Sequence, residues 1–253
     1  MRSLLARSAW AALLMAAPAS ALVTFSWSGP NPSNGGHPLA AEAAFSITGS
    51  TMQIQLSNTA ASDVLVPTDV LTAVFFHLPG DPLLTPVSVT VAPGSEVRFG
   101  GGTDPGGGVG GEWAYRNALS NPAIGLANAG VSSVGLGLFG PDDLFPGSDL
   151  WPPESPDGLQ YGLLSMGDDI TTGNQAVTGK EPLIQYSVLI SLAGVPMGLA
   201  ESDISGVYFK YGTSLSEGPP PPPPPPPIPE PLSTLTCLLG AAALGCYRRF
   251  VAR

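Results

Sequence analysis

The sequence predicts an all-β fold, an antiparallel β-sandwich with long loops, flanked by an N-terminal signal peptide and a C-terminal transmembrane helix. Three observations predict it. Short apolar runs alternate with polar residues at a period of two, as in Phe45/Ile47 and Met52/Ile54/Leu56. No window of the body carries a sustained 3.6-residue apolar period. Gly and Pro, 32 and 29 of the 253 residues, punctuate nearly every segment and favour short strands joined by turns.

The chain opens with a leader. Arg2 and Arg7 form a basic region, Ala9 to Ala17 an apolar run, and Ala19-Ser20-Ala21 a small-residue cleavage site. The apolar run falls well short of the ~20 residues that a membrane span needs. Residues 1–21 therefore read as a secretory signal peptide, with Ala19 and Ala21 at the cleavage site and Leu22 as the mature N-terminus.

The exported body is expected over residues 22–218. Its first strong signal is AAFSITGSTMQIQL at 43–56, two alternating runs around Gly49-Ser50, which reads as a hairpin. LTAVFFHL at 71–78 is almost wholly apolar and reads as a more deeply buried strand. VSVTV at 87–91 alternates again. LIQYSVLISL at 183–192 places Ile184, Tyr186, Val188, Ile190 and Leu192 on one face, and GVYFKYG at 206–212 reads as the closing strand. Between them, about 94–182, the chain is loop-rich. The tract GGTDPGGGVGG at 101–111 reads as a flexible loop, a short helix is expected near Trp113 to Ala118, and the long loops are expected at one end of the sandwich.

Composition bounds the function. Between the leader and the terminal arginines the chain keeps four bases, Arg98, Arg116, Lys180 and Lys210, against all 19 acids, Glu42 to Glu230, a formal charge of −15. That argues against nucleic acid or anionic lipid as a partner, because both need a basic footprint. The two cysteines, Cys237 and Cys246, lie in the C-terminal apolar segment, so the body has no disulfide and must be held by its own core. Roughly 190 residues are enough for one.

Chemistry-bearing patterns in the body are weak. His37 and His77 stand 40 residues apart in sequence, and there is no G-x-S-x-G elbow. The glycine tract lacks the Lys and Ser/Thr of a phosphate loop. Asp142, Asp143 and Asp149 in one loop, with Asp168 and Asp169 in another, are weak candidates for a Ca2+ site, since calcium takes carboxylate and carbonyl oxygens from such loops. The plain alternative is that they are solvated loop acids. No catalytic residue and no other cofactor is expected.

The C-terminus is the most informative part. Pro219 to Pro227 are nine consecutive prolines, and residues 219–228 read as a polyproline linker, a stiff rod of about 28 Å at ~3.1 Å per residue. Pro229-Glu230-Pro231 follows. Leu232 to Tyr247 then carry no charge over 16 residues, about 24 Å of helix against roughly 30 Å of hydrocarbon. Arg248, Arg249 and Arg253 complete the chain, and by the positive-inside rule they orient the segment with its tail in the cytoplasm.

Residues 229–253 resemble the PEP-CTERM sorting signal, in which Pro-Glu-Pro, an apolar segment and an arginine cluster occur in that order at the terminus of an exported chain. The resemblance implies recognition and cleavage by exosortase, a membrane-embedded enzyme with a cysteine protease-like active site, in a Gram-negative bacterium that makes extracellular polysaccharide. Leu232 departs from the family, which usually has a small residue there. The segments 135–140 (GLGLFG), 157–162 (DGLQYG) and 209–213 (FKYGT) are more weakly similar to a group of exosortase-dependent surface proteins. The expected protein is therefore non-enzymatic. It is held briefly at the inner membrane by its tail and then delivered to the cell surface or the exopolysaccharide matrix, with extracellular polysaccharide as an expected partner. Two other classes stay open: a calcium-assisted carbohydrate-binding module and a secreted glycan-acting enzyme.

Overall fold

A computed structural model describes residues 22–98, 107–178 and 180–220. The chain divides into a unit spanning Met1–Pro222 and one spanning Pro223–Arg253, and every described residue belongs to the first. The expected leader with Ala19 and Ala21, the Pro229-Glu230-Pro231 motif, the apolar segment 232–247 and Arg248, Arg249 and Arg253 lie outside the described residues.

The fold is all-β. Its strands are β1 (Leu22–Asn31), β2 (His37–Thr48), β3 (Thr51–Asn58), β4 (Leu71–His77), β5 (Thr85–Val91) and β6 (Glu96–Arg98). They continue as β7 (Ala114–Arg116), β8 (Ala129–Ser132), β9 (Leu163–Leu164), β10 (Leu183–Gln185), β11 (Ser187–Ala193) and β12 (Ser205–Tyr211). Helical structure among the described residues is confined to three-residue 3-10 turns, so none of it is long or apolar enough to cross a membrane.

One sheet has the order β1-β2-β3-β11-β5. The other runs β6-β10-β9-β4-β8-β7, with β12 also paired to β4. Pairing is antiparallel except between β9 and β10, which run parallel with Ile184 opposite Leu163, so the expectation of a purely antiparallel arrangement is corrected there.

Alternation builds the first sheet as expected. Leu39, Ala41, Ala43 and Phe45 of β2, Met52, Ile54 and Leu56 of β3, and Val188, Ile190 and Leu192 of β11 all point into one core. The β2–β3 turn is Gly49-Ser50, with Thr48 opposite Thr51. Gly49 takes the positive φ, 63°, that the first central residue of a type II′ turn requires. From the second sheet Val74 and Phe76 enter the same core, where the Phe45 and Phe76 rings meet edge-on at 5.3 Å. Ile190→Asp, at a position with no solvent exposure, is expected to cost several kcal/mol. Ser191→Asp, half-buried on the other face, should cost about 0.5 kcal/mol or less. Chemical denaturation of the two variants checks this, and equal losses would contradict the assigned faces.

Three local expectations are corrected. The run 183–192 is not one strand. The chain leaves the second sheet after Gln185 and enters the first at Ser187, and Tyr186 makes the crossing with φ of 90°. The helix expected near Trp113 to Ala118 is instead β7, preceded by a 3-10 turn at Gly110–Glu112. Within the loop-rich region, residues 119–139 cover a face of the second sheet and not its end. Leu119, Ile124, Ala127 and Phe139 pack on Ala73, Phe75 and Tyr208 in a separate cluster. This cluster explains why β4 reads as wholly apolar: Val74 and Phe76 face the main core, Ala73 and Phe75 the cover.

Candidate functional sites

The structure places the sequence-nominated acids in two unconnected settings. In the first, Asp143 accepts from its own loop at Gly140 N (2.9 Å) and stands 3.6 Å from the exposed guanidinium of Arg116. Asp142 and Asp149 are exposed. In the second, Asp168 and Asp169 meet a residue the sequence did not single out, Asp63. The Asp169 amide donates to Asp63 Oδ1 at 2.9 Å, the Thr172 hydroxyl donates to Asp63 Oδ2, and the Val64 amide donates to Asp168 Oδ1 at 3.0 Å. Burial opposes ionisation of Asp63, but its bonds from Thr172, Asp169 and Asp168 outweigh it and hold its pKa below the usual carboxylate value. Asp168 is pushed up to about 6, by burial first, then by its bond to Asp63 and the charges of Asp63 and Asp169. Asp169 is lowered by the hydroxyl and amide of Thr171. These acids staple the 60–64 segment to the 165–172 loop. Among the described residues no group of three or more His, Cys, Asp or Glu side chains is arranged to hold a metal ion.

The staple has a pH signature. Asp168 has a folded pKa above its unfolded one, so its contribution is fully present below about pH 4 and is lost as pH rises through about 6. Asp168→Asn keeps both an acceptor for Val64 and a donor for Asp63 at every pH. The variant should match the native protein near pH 3.5, below the unfolded pKa, and exceed it at pH 7.5 by ~1–2 kcal/mol after allowance for solvent screening. Melting curves across this range test it, and parallel profiles would contradict it.

Two buried charges escaped the sequence reading. Glu112, fully buried, closes the glycine tract. Its carboxylate accepts from the Leu150 amide, from the Trp151 amide at 3.0 Å and from Ser155 Oγ at 2.7 Å. Burial raises its pKa, with those three bonds working against the rise. The tract's end is correspondingly rigid. Gly107 O accepts from Val91 N at 2.9 Å, and Val109 N donates to Val89 O at 3.0 Å, so the flexible-loop expectation is corrected for residues 107–111. Lys210, buried in β12, donates Nζ to the carbonyls of Leu215 (3.0 Å) and Glu217. Burial lowers its pKa to about 8, with the Glu217 charge acting in the opposite direction. A lysine inside the apolar run VYFKYG was the available signal for a buried, carbonyl-capped ammonium.

The histidines are not brought together with these acids in any metal-binding group. His37 opens β2, with Nε2 2.7 Å from the Asp63 carbonyl. His77 ends β4.

A cleft lies between β1 and β12. Phe25, Ser26 and Trp27 line one side, Val207, Tyr208 and Phe209 the other, and Pro219 and Pro220 also border it, around a volume of ≈ 280 Å³. No charged side chain lines it. In comparisons with known proteins, no family model, no curated protein and no solved structure matches the chain.

Proposed function

We propose that this chain is an exported, non-enzymatic surface or exopolysaccharide-matrix protein, sorted and cut at its C-terminus by an exosortase-like membrane enzyme. The observation that carries the reading is the tail: Pro229-Glu230-Pro231, an uncharged segment over 232–247, then Arg248, Arg249 and Arg253, on a chain that opens with a leader. Each part has a physical task. The prolines and acid offer a rigid extended recognition element, the apolar segment enters the bilayer with its arginines snorkelling, and the arginines hold the tail inside.

The body supports this reading in three ways. The charge of −15 between the leader and the terminal arginines suits a soluble life outside the cell. The body needs no disulfide, because the two sheets, read as a sandwich, share a core of large buried side chains. The fully buried Glu112 carboxylate is engaged by loop donors, as befits a structural acid.

Replacing Pro229, Glu230 and Pro231 together with alanine is expected to leave the protein at the inner membrane with Arg253 still attached. A mature C-terminus identical to that of the native protein would rule out sorting through this motif.

A further inference from the structure

We propose that the cleft between β1 and β12 is a polyproline-binding site whose resident ligand is the start of this chain's own proline run, Pro219–Pro220. After β12 the chain turns back over that strand and is pinned at successive points. Glu217 accepts from the amides of Thr213 (2.8 Å) and Ser214 (3.1 Å), and Lys210 binds the carbonyls of Leu215 and Glu217. Gly218 N donates to Ser33 Oγ at 3.1 Å, and a Cβ there would stand 3.3 Å from Tyr211 Cβ. The Tyr208 hydroxyl then donates to the Pro219 carbonyl. Pro219 is buried and Pro220, exposed, borders the cleft.

The chemistry of the site matches proline. Its walls include Phe25, Trp27 and Phe209, and its bound hydroxyl faces a carbonyl. Aromatic walls with a hydroxyl donor to a carbonyl are how polyproline II segments are held, since their carbonyls are free and their order is prepaid. The edges give a second reason. Among the described residues β1 pairs only with β2, and β12 only with β4, so each leaves backbone groups on its outer edge. An ordinary extended segment there could add as a strand and recruit further copies. A proline has no N–H, so it fills the cleft without extending a ladder. The cleft carries no charge to recognise an acidic or basic ligand. The tether also keeps the resident at high effective concentration, so a free proline-rich segment competes poorly.

The test uses the full mature chain in detergent, labelled with 5-fluorotryptophan, with the Trp27 fluorine resonance assigned by Trp27→Phe. One variant carries Ser at all nine positions from Pro219 to Pro227. A second, Tyr208→Phe, removes only the hydroxyl that holds Pro219. The probe is synthetic nonaproline, with nonaserine as control. In the nine-serine variant the Trp27 resonance should move away from its native position while those of Trp113 and Trp151 stay. Nonaproline should return it, with an affinity about tenfold or more above that for the native chain, and nonaserine should not. Tyr208→Phe should shift Trp27 in the same direction and admit nonaproline to an intermediate degree, which keeps the test intact if the serine variant folds poorly. An unmoved Trp27 resonance in both variants, or nonaproline acting equally on native and variant chains or on neither, would overturn the proposal.

Discussion

Gly111→Ala is expected to be among the most destabilising single changes in the domain, at more than about 3 kcal/mol. A Cβ at this position would lie 2.0 Å from the Ser148 carbonyl oxygen, 2.3 Å from its carbon and 2.9 Å from Asp149 N. All three are backbone atoms, so no side chain can rotate away. The neighbours are equally tight: a Cβ on Gly110 would meet Pro146 O at 2.2 Å, and one on Gly147 would meet Gly111 N at 2.7 Å. The 145–149 loop must therefore lift off the tract to admit a methyl group, and its lifting exposes Phe145, which is buried in the main core. At roughly 2–4 °C per kcal/mol for a domain of this size, the melting temperature should fall by roughly 6–12 °C. Gly108→Ala is the matched control. Nothing lies within 4 Å of its Cβ position, so it should change stability by about 0.5 kcal/mol or less. Similar melting temperatures for the two variants would show that the tract is loose.

Glu112→Ala should cost about 3 kcal/mol or more, because it strands three donors at once. The amides of Leu150 and Trp151 and the hydroxyl of Ser155 all rely on this one carboxylate. Glu112→Gln should cost much less. Its amide oxygen can still accept from both backbone amides, its NH2 can donate to the Ser155 oxygen, and it matches the neutral form that burial favours. Hydrogen exchange locates the effect as well as its size. The Leu150 and Trp151 amides should lose protection in the alanine variant and keep it in the glutamine variant. Equal losses in the two variants would mean that the carboxyl group is not what holds the loop.

These two residues mark where the sequence stopped being legible. The β2–β3 hairpin, β4, β5, β11 from Val188 onward and β12 could be read in advance, because each is long enough for a period of two to emerge. β1 also carries that period, with Val23, Phe25 and Trp27 packed against the core, but it directly follows the segment read as a leader and was not singled out. β6 to β10 span two to four residues each, too few for any period. The crossing at Tyr186 depends on a left-handed backbone at a non-glycine residue, which no local pattern announces. Glu112 and Asp63 are held by partners about 40 and 105 residues away in sequence, so their roles exist only once the loops have met. The acids that looked promising, Asp142, Asp143 and Asp149, were selected by local density alone. Their loop is not the one that binds Asp168 and Asp169. The tail is the opposite case: the sorting signal proposed for it is a pattern in residue order, so it is legible without any fold.

The most direct test of this account is mass spectrometry of both termini of the mature protein purified from its native host. The account predicts an N-terminus at Leu22 and a C-terminus close to Pro229-Glu230-Pro231, with Arg248, Arg249 and Arg253 removed. A mature protein that still ends at Arg253 would contradict it.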